Sequence, residues 1–272
     1  MRKFTYILFL IFLQVVLVYL FLEKEGKGNF TANRPTAVQA IVSAKGGTAS
    51  GGKEGIYKGI LAKYERPPER IGEKIVYNIN LGNVCLGKAS FNHLAGVELE
   101  GKLVSRMTFE TRLVRFRDLE TIYSDSNSFL PLLVERDISN WPIREKITER
   151  YDQKNFTLTV IKNKGRKKEQ LVIKKDSPIH NAIMLPFYIR RITKLDVGWL
   201  MVADLPNQRF EIKLMALEEV KVPAGTFKAY RFESVPRRFE IWLSADERKI
   251  PLKIKGSGAF GYTFIMKEYS AL

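Results

Sequence analysis

The sequence predicts a mainly β protein: an antiparallel meander curled into a closed or half-closed barrel with one covering helix, plus an N-terminal membrane helix. A β-sandwich is the alternative arrangement of the same strands. Three observations carry this. From Ile71 onward, segment after segment alternates apolar and polar residues with a period of two, the mark of half-buried strands. The best helix candidate of the domain is residues 179–192, which combine helical spacing with a helix start signal, short helices within 35–42 or 56–64 being further candidates. Residues 6–22, YILFLIFLQVVLVYLFL, are almost uninterruptedly apolar.

The apolar run follows the short basic start Met1-Arg2-Lys3 and holds one strongly polar residue, Gln14. As a helix it would be about 25 Å long, the lower limit for crossing a bilayer and longer than most signal-peptide cores. Glu23-Lys24-Glu25-Gly26-Lys27-Gly28 follows, without the small residues that cleavage needs, so residues 1–22 are expected to be a retained signal anchor. A cleaved signal peptide is the alternative. Lysines and arginines flank both sides of the run, so their count does not decide orientation.

Residues 23–69 carry no sustained apolar period, and residues 44–52, AKGGTASGG, have the composition of a flexible linker. Residues 70–272 are expected to form the β domain. Its first strand places Ile75, Tyr77, Ile79 and Leu81 on one face. Residues 86–94 and 97–109 follow, with His93 to Gly96 as the turn. Further strand candidates are 130–138, 144–151, 156–161, 169–173, 210–220, 227–233, 238–243, 251–255 and 261–267. A sheet of this size must curl, close or split. In the helix candidate Ile179, Ala182, Ile183 and Phe187 share a face, Asp176-Ser177-Pro178 supplies the start, and Pro186 should kink it.

The chain carries a formal charge of +16 with 45 Lys and Arg against 29 acids, which favours anionic partners. The excess is spread along the sequence and no nucleic-acid module is present, so no nucleic acid is expected as a partner. Cys85 is the sole cysteine and is expected in the core or barrel wall. Two isolated histidines, His93 and His180, give no metal-ligand cluster. No nucleophile elbow and no phosphate-binding loop appears, and the glycines at 256–261 read as a hairpin. The pairs Glu98/Glu100 and Glu218/Glu219 lie in candidate strands and read as solvated faces. So do the arginines around Phe116 and the pair Arg237-Arg238. No catalytic residue, metal or cofactor is expected.

A set of local patterns runs in order along the domain: Gly72-Glu73-Lys74 with Tyr77; Leu86-Gly87-Lys88-Ala89; Asp176 with Phe187-Tyr188-Ile189-Arg190; Val222-Pro223-Ala224-Gly225-Thr226-Phe227; and Ile241-Trp242-Leu243-Ser244-Ala245-Asp246 with Pro251. Together they resemble the bacterial exported-protein family catalogued as domain of unknown function 3108. The resemblance implies an exported, largely β protein and no agreed activity. Gly72, Tyr77, Gly87, Tyr188, Arg190, Pro223, Gly225, Phe227, Trp242, Asp246 and Pro251 are the structural positions it carries over. Each also has a plain physical reading: a turn at Pro223 to Gly225, a core anchor at Trp242, and a turn-stabilising carboxylate at Asp246. Architecture alone also likens the domain to periplasmic lipoprotein carriers, which hold acyl chains in an incomplete barrel.

The functional expectation is a non-enzymatic cell-envelope protein, anchored in the inner membrane with its domain in the periplasm, or released there after cleavage. Its barrel would bind an apolar or acyl-bearing ligand with an anionic head, a lipid or anionic glycan being the partner classes. An interaction or scaffold module contacting another envelope protein is the alternative.

Overall fold

The computed structural model describes residues 70–140, 142–165, 167–256 and 261–271. The expected anchor (1–22), the linker (23–69) and the glycine hairpin at 257–260 lie outside the described residues. Among the described residues no helix is long and apolar enough to cross a membrane.

The domain is a single antiparallel sheet of 14 strands. In chain order they are β1 (Lys74–Leu81), β2 (Val84–Leu99), β3 (Lys102–Leu113), β4 (Phe116–Asp125), β5 (Pro131–Asn140), β6 (Ile143–Asp152), β7 (Thr157–Lys164) and β8 (Lys167–Lys174). After the short helix α1 (Leu185–Ile189) come β9 (Leu200–Asp204), β10 (Arg209–Val222), β11 (Gly225–Val235), β12 (Phe239–Ser244), β13 (Pro251–Gly256) and β14 (Tyr262–Ser270). The spatial order runs β8 to β1, then β14 down to β9. β1 and β14 therefore pair at the middle of the sheet, and the mid-chain strands β8 and β9 are its edges.

The sheet is curled but not closed by strand pairing. Phe109 on β3 and Phe264 on β14 stand three strand positions apart in the sheet, yet their rings meet at 5.9 Å across its concave side. The β8-to-β9 connection spans the open seam in part. Ile179 forms an isolated parallel bridge with Asp204 of β9. On the other side Gln153, in the β6–β7 turn, bonds the Ile179 N–H, the Ile179 carbonyl and the Pro131 carbonyl at 2.9–3.0 Å. One amide side chain thus ties the connection to the far half of the sheet.

Strand directions divide the molecule into two rims. The β2–β3, β4–β5, β6–β7, β10–β11 and β12–β13 turns share one rim with the segment carrying α1. The β1–β2, β3–β4, β5–β6, β7–β8, β9–β10, β11–β12 and β13–β14 turns share the other. All five residues of α1 are buried. Phe187 stacks on Phe91 of β2 at 4.0 Å, and Ile75, Phe91, Met107, Ile122, Leu158 and Ile189 pack to almost no exposure at this end.

Several expectations are corrected. The helix spans only residues 185–189 rather than 179–192, with Met184 as its N-cap and Pro186 in its first turn, where proline's missing N–H costs nothing. Before it, Ile179 and His180 are committed to Asp204 and Gln153, and residues 182–184 form a turn. His93 to Gly96 is not a turn: β2 passes through it with a register shift between Leu94 and Val97, and the chain reverses at Glu100-Gly101, both at positive φ. Glu100 consequently leaves the strand. Cys85 does lie in the wall, on β2 beside the β1–β2 turn, but is exposed rather than buried in the core.

Candidate functional site

The positions carried over from the resemblance converge mostly on the α1 rim. Glu73, at the entry to β1, is buried and receives both guanidinium nitrogens of Arg190, at 2.9 and 2.7 Å. Tyr269 donates to it at 3.1 Å, and His93 Nδ1 lies 3.4 Å away. Burial alone would raise the Glu73 pKa, but hydrogen bonds and charge from Arg190 and His93 lower it to about 2. Arg190 also donates to the Arg248 carbonyl in the β12–β13 turn at 3.1 Å. Gly72, at φ +86, bonds the His93 carbonyl, which aligns the entry to β1. The Tyr77 hydroxyl donates to the Pro251 carbonyl at 3.0 Å. Asp246 accepts the backbone N–H groups of Arg248 and Lys249, both at 3.1 Å, which fixes the turn that Arg190 reads. Tyr188 is buried edge-on to Phe129 and His180. Gly72, Tyr77, Tyr188, Arg190, Asp246 and Pro251 thus form a clamp that seats α1 on the sheet.

The remaining positions stand apart. Pro223 and Gly225 form the β10–β11 turn, with the Phe227 ring 3.4 Å from where a side chain on Gly225 would begin. Gly87 lies toward the opposite rim, where a Cβ would fall 2.1 Å from the Arg112 carbonyl oxygen. Trp242 is buried on the outer face, its indole N–H donating to Glu218 at 2.7 Å and Lys253 lying 4.6 Å from its ring.

The side chains with unusual electrostatics lie elsewhere, on the inner wall of β4 to β6. Asp118, Glu120, Ile122 and Ser124 alternate inward along β4 and all are buried. Arg136 stands directly opposite Glu120 on β5, bonds Asp118, and approaches Glu120 at 3.4 Å. Glu149 on β6 accepts a 2.6 Å bond from Tyr151. Burial pushes Glu120 up; Arg136 opposes this while Asp118 and Glu149 add to it, and the net value is about 8. Burial thus favours the protonated form of the Glu120 carboxyl. Across the concavity Tyr262, its own pKa raised by burial and by the Glu120 charge, stands 5.2 Å from Phe264. Unlike the packed α1 end, this end leaves Phe109, Leu113, Phe239, Ile254, Tyr262 and Phe264 only half-buried. This end of the inner face thus has an aromatic wall that is less buried than the α1 end, and a carboxyl-bearing wall whose Asp118 and Glu120 are buried.

Among the described residues no group of three or more His, Cys, Asp or Glu is arranged to hold a metal ion. Ser177, His180 and Asp204 gather beside the seam, but Ser177 donates to Asp204 while His180 Nδ1 accepts the Asp204 backbone N–H at 3.3 Å. No serine–histidine bond forms, and burial lowers the His180 pKa to about 4, leaving a neutral ring packed on Tyr188.

The family model described as protein of unknown function DUF3108 matches residues 77–267. The chain belongs to this family. No curated protein matches it. Among solved structures, the β-barrel-like protein of domain of unknown function DUF1849 from Brucella abortus aligns at TM-score 0.46 and 9% identity, covering 74% of this DUF3108 chain and 98% of that one. A Bacteroides fragilis protein with a YmcC-like fold, described as exported, aligns at TM-score 0.29 and 12% identity over 75% and 97%. A Parabacteroides distasonis protein described as a lipoprotein aligns at 0.27 and 8% over 75% and 97%.

Proposed function

We propose that this DUF3108 protein is a non-enzymatic component of the cell envelope that takes an apolar or acyl-bearing ligand into the open mouth of its half-barrel. The observation that carries the reading is the gradient of burial along the inner face. Apolar side chains are sealed at the α1 rim and half-exposed at the other, where Phe109 and Phe264 meet beneath Tyr262. Barrel mouths of this kind are common ligand sites. Aromatic side chains offer the chain-like part of a ligand its contact area, and a protonated Glu120 offers a donor to an oxygen near it. An anionic head would rest among the basic residues outside the mouth. An inner-membrane anchor at residues 6–22 and a periplasmic domain fit a ligand of this chemistry.

Lipid extraction and native mass spectrometry of the purified full chain in detergent-free polymer discs test this reading. The expected result is a co-purifying acyl species whose occupancy drops in Phe264→Ala. An empty protein that also fails to take up a fluorescent fatty acid overturns it.

One observation favours a second reading, an interaction module. Edge strand β8 is exposed on nearly every residue, with Leu171 and Val172, on opposite faces, both exposed in a lysine-rich strand. A free edge of this kind accepts an added strand. Site-specific crosslinking from Val172 that repeatedly captures one envelope protein would select this reading over ligand carriage.

A further inference from the structure

The rim around the open mouth differs in kind from the rim that carries α1. Its described connecting residues, 82–83, 114–115, 142, 165, 205–208 and 236–238, contain no aspartate or glutamate. In and beside them stand Arg112, Arg115, Arg117, Arg144, Lys164, Lys167, Lys168, Arg209, Arg237, Arg238 and Lys255, contributed by hairpins from both halves of the sheet. Acids just below take up a few of these: Glu110 bonds Arg112 and Arg117, and Glu240 bonds Arg237. Arg115, Arg144, Lys164, Lys167, Lys168 and Arg238 are exposed. The α1 rim mixes signs, with Glu100, Asp176, Asp196, Asp246 and Glu247 in its connections.

The same basic rim exposes single large apolar side chains at its tips. Val84 is 61% exposed, Val114 86%, and Ile143 and Val235 just under half. Each sits on a different hairpin: Val114 and Ile143 beside an arginine, Val235 two residues before Arg237, and Val84 beside Cys85. We infer that this rim is a membrane-docking surface that seats the mouth of the half-barrel on an anionic lipid headgroup layer. A protein partner of ordinary affinity needs a contiguous apolar centre inside a polar border. Here the apolar groups are dispersed singly among cations, which suits a headgroup layer where each tip can enter separately while arginines and lysines engage phosphates. The inference goes beyond ligand carriage and does not depend on it, since docking requires nothing of the barrel interior.

The chain supplies its own probe, because its sole cysteine, Cys85, lies on this rim. The full-length protein is labelled there with an environment-sensitive fluorophore and reconstituted into vesicles. These are either pure phosphatidylcholine or phosphatidylcholine with phosphatidylglycerol, so any tether acts equally in both. A blue shift is expected only with phosphatidylglycerol, and it should fade in high salt. The triple variant Arg115→Glu, Arg144→Glu, Arg238→Glu should weaken it about tenfold or more, whereas the corresponding Arg→Lys triple keeps it, which separates charge from folding. A label at Leu103→Cys on the α1 rim, in a Cys85→Ser background, should not shift. An equal shift in both vesicle types, an equal shift at both rims, no shift at all, or binding of this face to a protein or nucleic acid instead overturns the proposal. Ligand content, measured separately, does not enter into any of these outcomes.

Discussion

Glu73 and Arg190, 117 residues apart in the chain, form a two-point ion pair that is sealed from solvent on both sides. It joins the start of β1 to the end of α1. Glu73→Gln should cost about 3–5 kcal/mol, because the guanidinium is left buried without its countercharge. Urea denaturation measures this, and Arg190→Lys should fall between, keeping the charge and losing the fork.

The same carboxylate gives the domain an acid limb. Its folded pKa of about 2 lies below the ordinary carboxylate value of 4.5, so its contribution is complete above pH 4.5 and disappears as pH falls toward 2. Urea midpoints collected across that range should slope in the wild type and flatten in Glu73→Gln.

Glu120 acts in the opposite sense. Its folded pKa is raised from 4.5 to about 8, so its own contribution to stability is greatest below pH 4.5 and is lost as pH rises through 8 and the buried group is forced to ionise. Glu120→Gln should remove this decline and be more stable than wild type at pH 9. Identical midpoints for the two proteins from pH 5 to 9 would refute the assignment.

The two ends of the inner face should respond differently to truncation. Phe91→Ala, at a fully buried ring stacked on Phe187, should cost about 3–5 kcal/mol. Phe264→Ala, at a half-buried ring, should cost clearly less in the same denaturation assay while lowering ligand uptake more.

Gln153→Ala removes three bonds that tie the seam connection to the β6–β7 turn and the start of β5. A loss of about 1–3 kcal/mol is expected. Hydrogen exchange at the Ile179 amide should accelerate, while amides in β1 and β2 stay protected.

Most strands were legible because their inward residues are apolar. β4 was not. Its inward positions are Asp118, Glu120, Ile122 and Ser124, so period-two alternation of apolar residues fails in the strand that carries the carboxyl wall. Charged residues at the same spacing as Ile122, within a strand-length stretch between two recognisable strands, were the available signal. β9 was missed as well, being only five residues long. The clamp residues stood out as a pattern, but Glu73 meeting Arg190 is a consequence of tertiary folding that local spacing does not contain. The curl of the sheet was anticipated from strand number, while the unpaired seam depends on a connection whose hold on Asp204 and Gln153 no periodicity reports.

The central pairing of β1 with β14 has a consequence for how the molecule is made. β1, the first of the described strands, lacks one neighbour until β14 has appeared, and the long-range pairing that completes the sheet closes a loop of nearly the whole domain. Two meanders, β1 to β8 and β9 to β14, can each zip locally, but they must wait with open edges until they join. Relocating the termini to the connection between β8 and β9, and linking residue 271 back to residue 70, would turn that distant pair into an ordinary hairpin. The rearranged chain should then fold faster without altering a single contact of the inner wall.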